Sequence, residues 1–147
     1  MRINKTANKR AYKSIENANR AFFKGINRAF NIMGKEIDRE RRRLILEPPK
    51  TGRIYRIRGR THQASAPGEA PANLTGGLVR SGDHKVSGLF LRGGEKKVNG
   101  KDYPKFLEYG TSKMSPRPHV IKAINSKRRD TRLALLEAVD LFIKKSA

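Results

Sequence analysis

The pattern of apolar residues predicts an α+β fold, with a long N-terminal amphipathic helix, a small antiparallel β-sheet with an extended loop and short helices, and a C-terminal helix. Two observations carry this expectation. Apolar positions recur at steps of three and four over the first third of the chain and again over the last quarter. Between them the chain is punctuated by Gly and Pro and holds only short, weakly alternating runs. A length of 147 residues fits one domain, divided here into 1–46, 47–73, 74–110 and 111–147.

The first element is expected from Ala11 to about Leu46. Ile15, Ala18, Phe22, Ile26, Ala29, Met33 and Ile37 fall on one helical stripe, with Lys13, Arg20, Lys24, Arg28, Lys35 and Arg39 opposite. Glu47-Pro48-Pro49 stops the helix. Gly25 and Gly34 each weaken it by about 1 kcal/mol relative to Ala, which suggests a bend.

Arg53–Arg58 reads as a half-exposed strand turning at Gly59, and the aperiodic run 66–72 as an extended surface segment that orders on docking. Leu74–Ser81 reads as a short helix capped by Thr75. Asp83–Arg92, a turn at Gly93-Gly94 and Lys96–Asn99 read as a β-hairpin, with Gly100 opening the exit loop. Tyr103–Tyr109 is a short helix closed by Gly110. Pro118 suits the first turn of the last helix. Its stripe is Val120, Ile121, Ile124, Leu135, Leu136, Val139, Phe142 and Ile143, with an interruption at Lys127–Arg129 and a restart at Asp130.

The charge narrows the partners. Lys and Arg total 34 against 13 Asp and Glu, a formal net charge of +21. Such self-repulsion predicts a polyanionic neighbour. The first sixty residues hold 18 basic and 5 acidic side chains, the remainder 16 and 8, so the basic character belongs to the whole chain. The absence of Cys removes disulfide, thiolate and Cys-zinc chemistry. His62, His84 and His119 share no ligand spacing and lie near no carboxylate cluster in sequence, so neither a metal nor a cofactor is expected. No apolar run approaches a bilayer span, no signal core follows the basic start, and the expected location is the host cytosol until assembly.

Two segments are more distinctive than composition. They are Ser65-Ala-Pro-Gly-Glu-Ala-Pro-Ala-Asn-Leu-Thr-Gly-Gly-Leu-Val-Arg-Ser81 and Tyr103-Pro-Lys-Phe-Leu-Glu-Tyr-Gly-Thr-Ser-Lys-Met-Ser-Pro-Arg-Pro-His119. In this order and at this separation they resemble the head–tail joining, tail-completion or neck proteins of tailed bacteriophages, a family typified by a minor tail component of a lambda-like coliphage. The resemblance covers about two thirds of the chain, from Pro48 to Met114 and loosely onward. It departs from the family pattern at Gly77, often polar or charged, and at Gly82, usually apolar. It implies a structural virion protein at the head–tail junction, a homo-oligomeric ring of six copies or alternatively twelve. Its expected neighbours are other neck proteins, a portal-side adaptor or stopper and the tail tube, with DNA passing through.

On that reading Pro67, Gly68, Glu69, Pro71, Phe106, Glu108 and Tyr109 are candidate docking or inter-subunit residues. Glu108 is expected to make a structural hydrogen bond at a subunit seam rather than serve as an acid. Arg53, Arg56, Arg58 and Arg60 are candidate DNA-facing or inter-ring residues. Without a recognition helix, aromatic RNA-binding signature or zinc module, any contact is expected to be to the DNA backbone without sequence preference. Arg39, Arg41, Arg42 and Arg43 point around too much of a helix to form one stripe, and a solvated face is their ordinary reading. Gly76-Gly77 lacks the P-loop ending, and no Ser lies in a nucleophile elbow, so no catalytic residue is expected. The alternative from another class is a nonspecific nucleic-acid-binding protein using the basic helix on phosphates.

Overall fold

A computed structural model describes residues 5–47, 50–57, 59–88 and 90–146. The expected stop at Pro48 and Pro49 and the candidate Arg58 lie outside them. The elements are α1 (Lys5–Leu46), β1 (Ile54–Ile57), β2 (Arg60–Gln63), α2 (Gly77–Arg80), β3 (Gly82–Ser87), β4 (Phe90–Glu95), α3 (Tyr103–Tyr109) and α4 (Val120–Ser146). This is the expected α+β arrangement, with the strands in two separate antiparallel hairpins.

Helix α1 starts earlier than its apolar pattern and runs unbroken for 42 residues, a rod of about 63 Å at 1.5 Å per residue. Its stripe does what the spacing requires. Ile26 and Met33 are buried, and Ala18, Phe22, Ala29 and Ile37 are half-buried. The cover is α4, which runs antiparallel to it: the Phe22 and Phe142 rings lie 4.9 Å apart at one end, and Glu40 feels Lys127 and Ser126 at the other. Residues 8–17 are exposed all round, so Tyr12 and Ile15 continue the stripe without cover.

Gly34 introduces no break in α1. It is buried, and a Cβ there would run into the His84 ring of β3, so the glycine is a notch that admits the sheet. Gly82, two residues before His84 in β3, is the matching notch on the strand. A side chain there would meet Asp38 and Arg41. The innermost cluster joins three helices, with Ile45, Leu78 and Leu107 at its centre and Val79 and Met114 against it.

Four local expectations need correction. Thr75 is not the cap of α2: Gly76 occupies that position in a left-handed conformation, and the Asn73 side chain accepts from its N–H at 2.9 Å. Gly93-Gly94 is not a turn but lies within β4, pairing with His84 and Asp83; the hairpin reverses around Gly88 at φ 57°. Lys96–Asn99 is not the second strand. Asn99 and Gly100 both have positive φ and close a tight turn between Val98 and Lys101, the backbone pair that favours Asn-Gly. Finally, α4 is continuous through Lys127–Asp130, because Lys and Arg are good helix formers and their charges here reach solvent.

Candidate functional site

The two distinctive segments are stitched together. The N–H of Gly68 donates to the Pro116 carbonyl at 3.0 Å, and Arg117 Nε donates to the Ser65 carbonyl at 3.1 Å. Lys122 of α4 reaches the Gly68 carbonyl. Glu69 organises the loop from within, accepting from the Thr51 hydroxyl and from the N–H groups of Thr51 and Ala66. Those bonds, the Thr51 hydroxyl first, hold its carboxyl at about 2, well below the ordinary range. Pro67 and Gly68 are exposed, whereas Ser65, Ala70 and Pro71 are buried. The run read as an extended surface segment is therefore anchored at several points, and only its tip faces solvent.

The second segment leads to an ionic hub. Both oxygens of Glu108 lie at the start of α4: Oε2 accepts from the N–H of His119 at 2.8 Å and of Val120 at 3.0 Å, and Oε1 from that of Ile121 at 2.8 Å. One carboxylate thus satisfies three of the N–H groups a helix start leaves without intrahelical partners. His119 has 0% of its surface exposed and lies between two acids, Nε2 at 2.9 Å from Glu95 and Nδ1 at 3.0 Å from Glu108. Burial alone would depress its pKa, but Glu108 and then Glu95 outweigh burial and raise it to about 9. Burial would likewise raise Glu108, but the His119 ring and the three N–H groups hold it at about 2.

Glu95 passes the network to α1. Its Oε1 lies 2.6 Å from Arg41 Nη1, and Arg41 also donates to the Leu78 carbonyl at 2.9 Å, the Val79 carbonyl at 2.8 Å and Asp38 at 2.9 Å. Arg41 is only 2% exposed. It binds the closing carbonyls of α2, where the helix dipole favours a cation. Glu108, expected to hydrogen-bond at a subunit seam, is 6% exposed, and these bonds are made inside the chain. His119 lies near no carboxylate cluster in sequence, and folding brings it between Glu95 and Glu108, 24 and 11 residues away.

The run read as a solvated basic face divides in the same way. Arg39 pairs with Glu36, Arg42 with Asp38, and Arg43 with both Glu40 and Glu47. These three remain exposed but are locally neutralised, while Arg41 points inward. No local pattern distinguishes Arg41 from its neighbours. The nearest signal is its place one turn from the apolar Leu44 and Ile45.

The arm formed by β1 and β2 is the opposite environment. Its register pairs Ile54 with Gln63, Tyr55 with His62, Arg56 with Thr61 and Ile57 with Arg60. All of these residues except His62 are exposed, and the hairpin packs chiefly on itself. Strand alternation places Tyr55, Ile57, Arg60 and His62 on one face, and Ile54, Arg56, Thr61 and Gln63 on the other. Arg53 lies 5.5 Å from the Tyr55 ring centroid, a cation–π distance. The candidate arginines therefore do not form one patch: Arg53 and Arg60 share the side of Tyr55, and Arg56 is on the reverse. None of the three has a carboxylate partner among the described residues. Phe106 and Tyr109 of α3 are exposed on either side of the buried Leu107 and Glu108.

Among the described residues no group of His, Cys, Asp and Glu is arranged to hold a metal ion. No helix there is long and apolar enough to cross a membrane. Comparison of the chain with protein-family models, curated proteins and solved structures finds no match.

Proposed function

We propose that this chain is a structural protein of a tailed-bacteriophage virion, a tail-completion or neck connector that forms a ring at the head–tail junction through which DNA passes. The observation that carries the reading is the joining of the two family-like segments into one surface, through Gly68, Pro116, Arg117 and Ser65. Their resemblance to neck proteins is then a resemblance between surfaces, with Pro67, Phe106 and Tyr109 exposed for docking. Many large apolar side chains, Tyr12, Ile15, Leu136 and Ile143 among them, are exposed on a chain with a small buried core, which suits a subunit completed by neighbours. In this role it is not an enzyme and needs no cofactor. It acts as a ring of six copies, or twelve, between a portal-side adaptor or stopper and the tail tube. The unpaired arginines of the arm face DNA backbone or the next ring.

Mass photometry of the purified chain and electron microscopy of virions test this. A ring-sized species and density at the neck are expected, and absence from mature particles overturns the proposal.

The second reading, nonspecific nucleic-acid binding by the free chain, is favoured by one observation. Lys9, Arg10, Lys13, Lys24 and Arg28 on α1 have no carboxylate partner among the described residues. That reading requires tight binding of free duplex DNA with a steep dependence on salt.

A further inference from the structure

A groove of about 570 Å³ runs between the β3–β4 hairpin, α3 from Lys105 to its end, and the first turns of α4. This volume is in the range of ligand sites, roughly 300–1,000 Å³. Its chemistry is divided. Ile121 and Ile124 of α4 and Tyr109 of α3 provide apolar surface that is exposed in the chain as it stands. Lys85, Arg92 and Lys105 provide cations without a carboxylate partner among the described residues. The acids of the same groove are committed elsewhere: Asp83 to Lys96, Glu95 to Arg41 and His119, and Glu108 to the start of α4. The charge offered to a ligand is therefore positive.

The side along β4 is open to a polypeptide backbone. A Cβ placed on Gly93 or Gly94 meets nothing within 4 Å, and a more apolar recess of about 210 Å³ beside Leu91 and Ile37 opens off the same glycines. One edge of β4 pairs with β3, and no strand occupies the other among the described residues. An extended segment laid there would find main-chain hydrogen bonds at the strand, apolar contacts at the isoleucines and cations at the rim.

We propose that this groove binds an extended segment of a partner protein that carries both acidic and large apolar side chains. Charge complementarity selects that occupant. Duplex DNA supplies the negative charge but leaves the isoleucines and the recess unfilled. A second copy of this chain is disfavoured because its exposed arm is itself basic, bringing arginines to a rim of lysine and arginine. The proposal rests on the chemistry of the groove and not on the neck reading, so either can fail without the other.

The test uses the full chain and a fluorescein-labelled short peptide of alternating glutamate and leucine, read by anisotropy. Saturable binding is expected. Gly94→Leu, which projects into open space, should weaken it by about tenfold or more while leaving the circular dichroism spectrum and melting temperature unchanged. Lys85→Glu should weaken it more than the charge-matched Lys13→Glu, on the exposed stretch of α1 that does not line the groove. The proposal is overturned by any of four results: no saturation, equal affinity for Gly94→Leu, equal affinity for an all-glutamate peptide, or displacement of the peptide by duplex DNA at the same ionic strength.

Discussion

The ionic hub and the β1–β2 arm both use arginine, in opposite ways. Arg41 is buried, and its three nitrogens are shared among Asp38, Glu95 and the carbonyls that end α2. Arg56 and Arg60 stand on a two-stranded arm, exposed and without acidic partners among the described residues. A basic residue held on every side specifies how elements fit together, and a basic residue held on none is available to another molecule. High net charge thus serves two ends in one chain. Counting charges cannot separate them, because the difference lies in desolvation and geometry.

The sharpest way to break this contrast is to remove Arg41. Arg41→Ala takes the guanidinium away from buried Glu95 and from the Leu78 and Val79 carbonyls, and should cost about 3–5 kcal/mol in chemical denaturation. If Arg41→Ala is as stable as the parent, the hub is not a structural element. Next in size is Glu108→Ala, which strips the start of α4 and leaves His119 with one acid, at a cost of about 2–4 kcal/mol in the same measurement.

The hub should also make stability depend on pH with a definite sign. His119 has its folded pKa raised to about 9. Its contribution is complete below its ordinary value near 6.5 and is lost as pH rises through about 9. Glu108 is depressed to about 2, so its contribution is present above its ordinary value near 4.3 and is lost as pH falls through about 2. Together they place the greatest melting temperature between about pH 4.5 and 6.5. His119→Gln should flatten the alkaline limb and shrink the acid one, because the His119 ring is part of what holds the Glu108 carboxyl down. An unchanged alkaline limb would show that His119 is not its source.

A smaller effect tests the notches. Gly82→Val forces a side chain against Asp38 and Arg41 and should cost about 1–3 kcal/mol. Smallest of all, Arg56→Ala with Arg60→Ala should change stability by no more than about 0.5 kcal/mol. If the arm meets DNA, the same pair should lower the salt slope of binding by about two units. A large loss of stability would show that the arm belongs to the core.

Much of the scaffold was legible because local patterns determine it. The three-and-four spacing from Ala18 to Ile37 describes a face that a helix must bury, Gly59 lies where the arm turns, and Gly110 closes α3 at φ 77°. The β3–β4 hairpin was misplaced because Gly93-Gly94 has the composition of a turn, while the reversal falls at Gly88. Glycine identity alone does not say whether a residue needs a left-handed backbone or merely the absence of a side chain. The hub was hidden for a different reason. Arg41, Glu95 and Glu108 come from α1, β4 and α3, and His119 from just before α4, and their meeting is a property of tertiary packing that no periodicity encodes.

The notch at Gly34 has a consequence for length. A helix packed on a smooth surface can slip along its axis, but here the His84 ring seats where the helix has no side chain. Displacement by one residue, about 1.5 Å of rise, would present Met33 or Lys35 to the ring instead. The rod is therefore indexed against the sheet at this notch. How far residues 8–17 extend is then set by the number of residues between them and that detent, much as a key's reach is set by the distance from its shoulder.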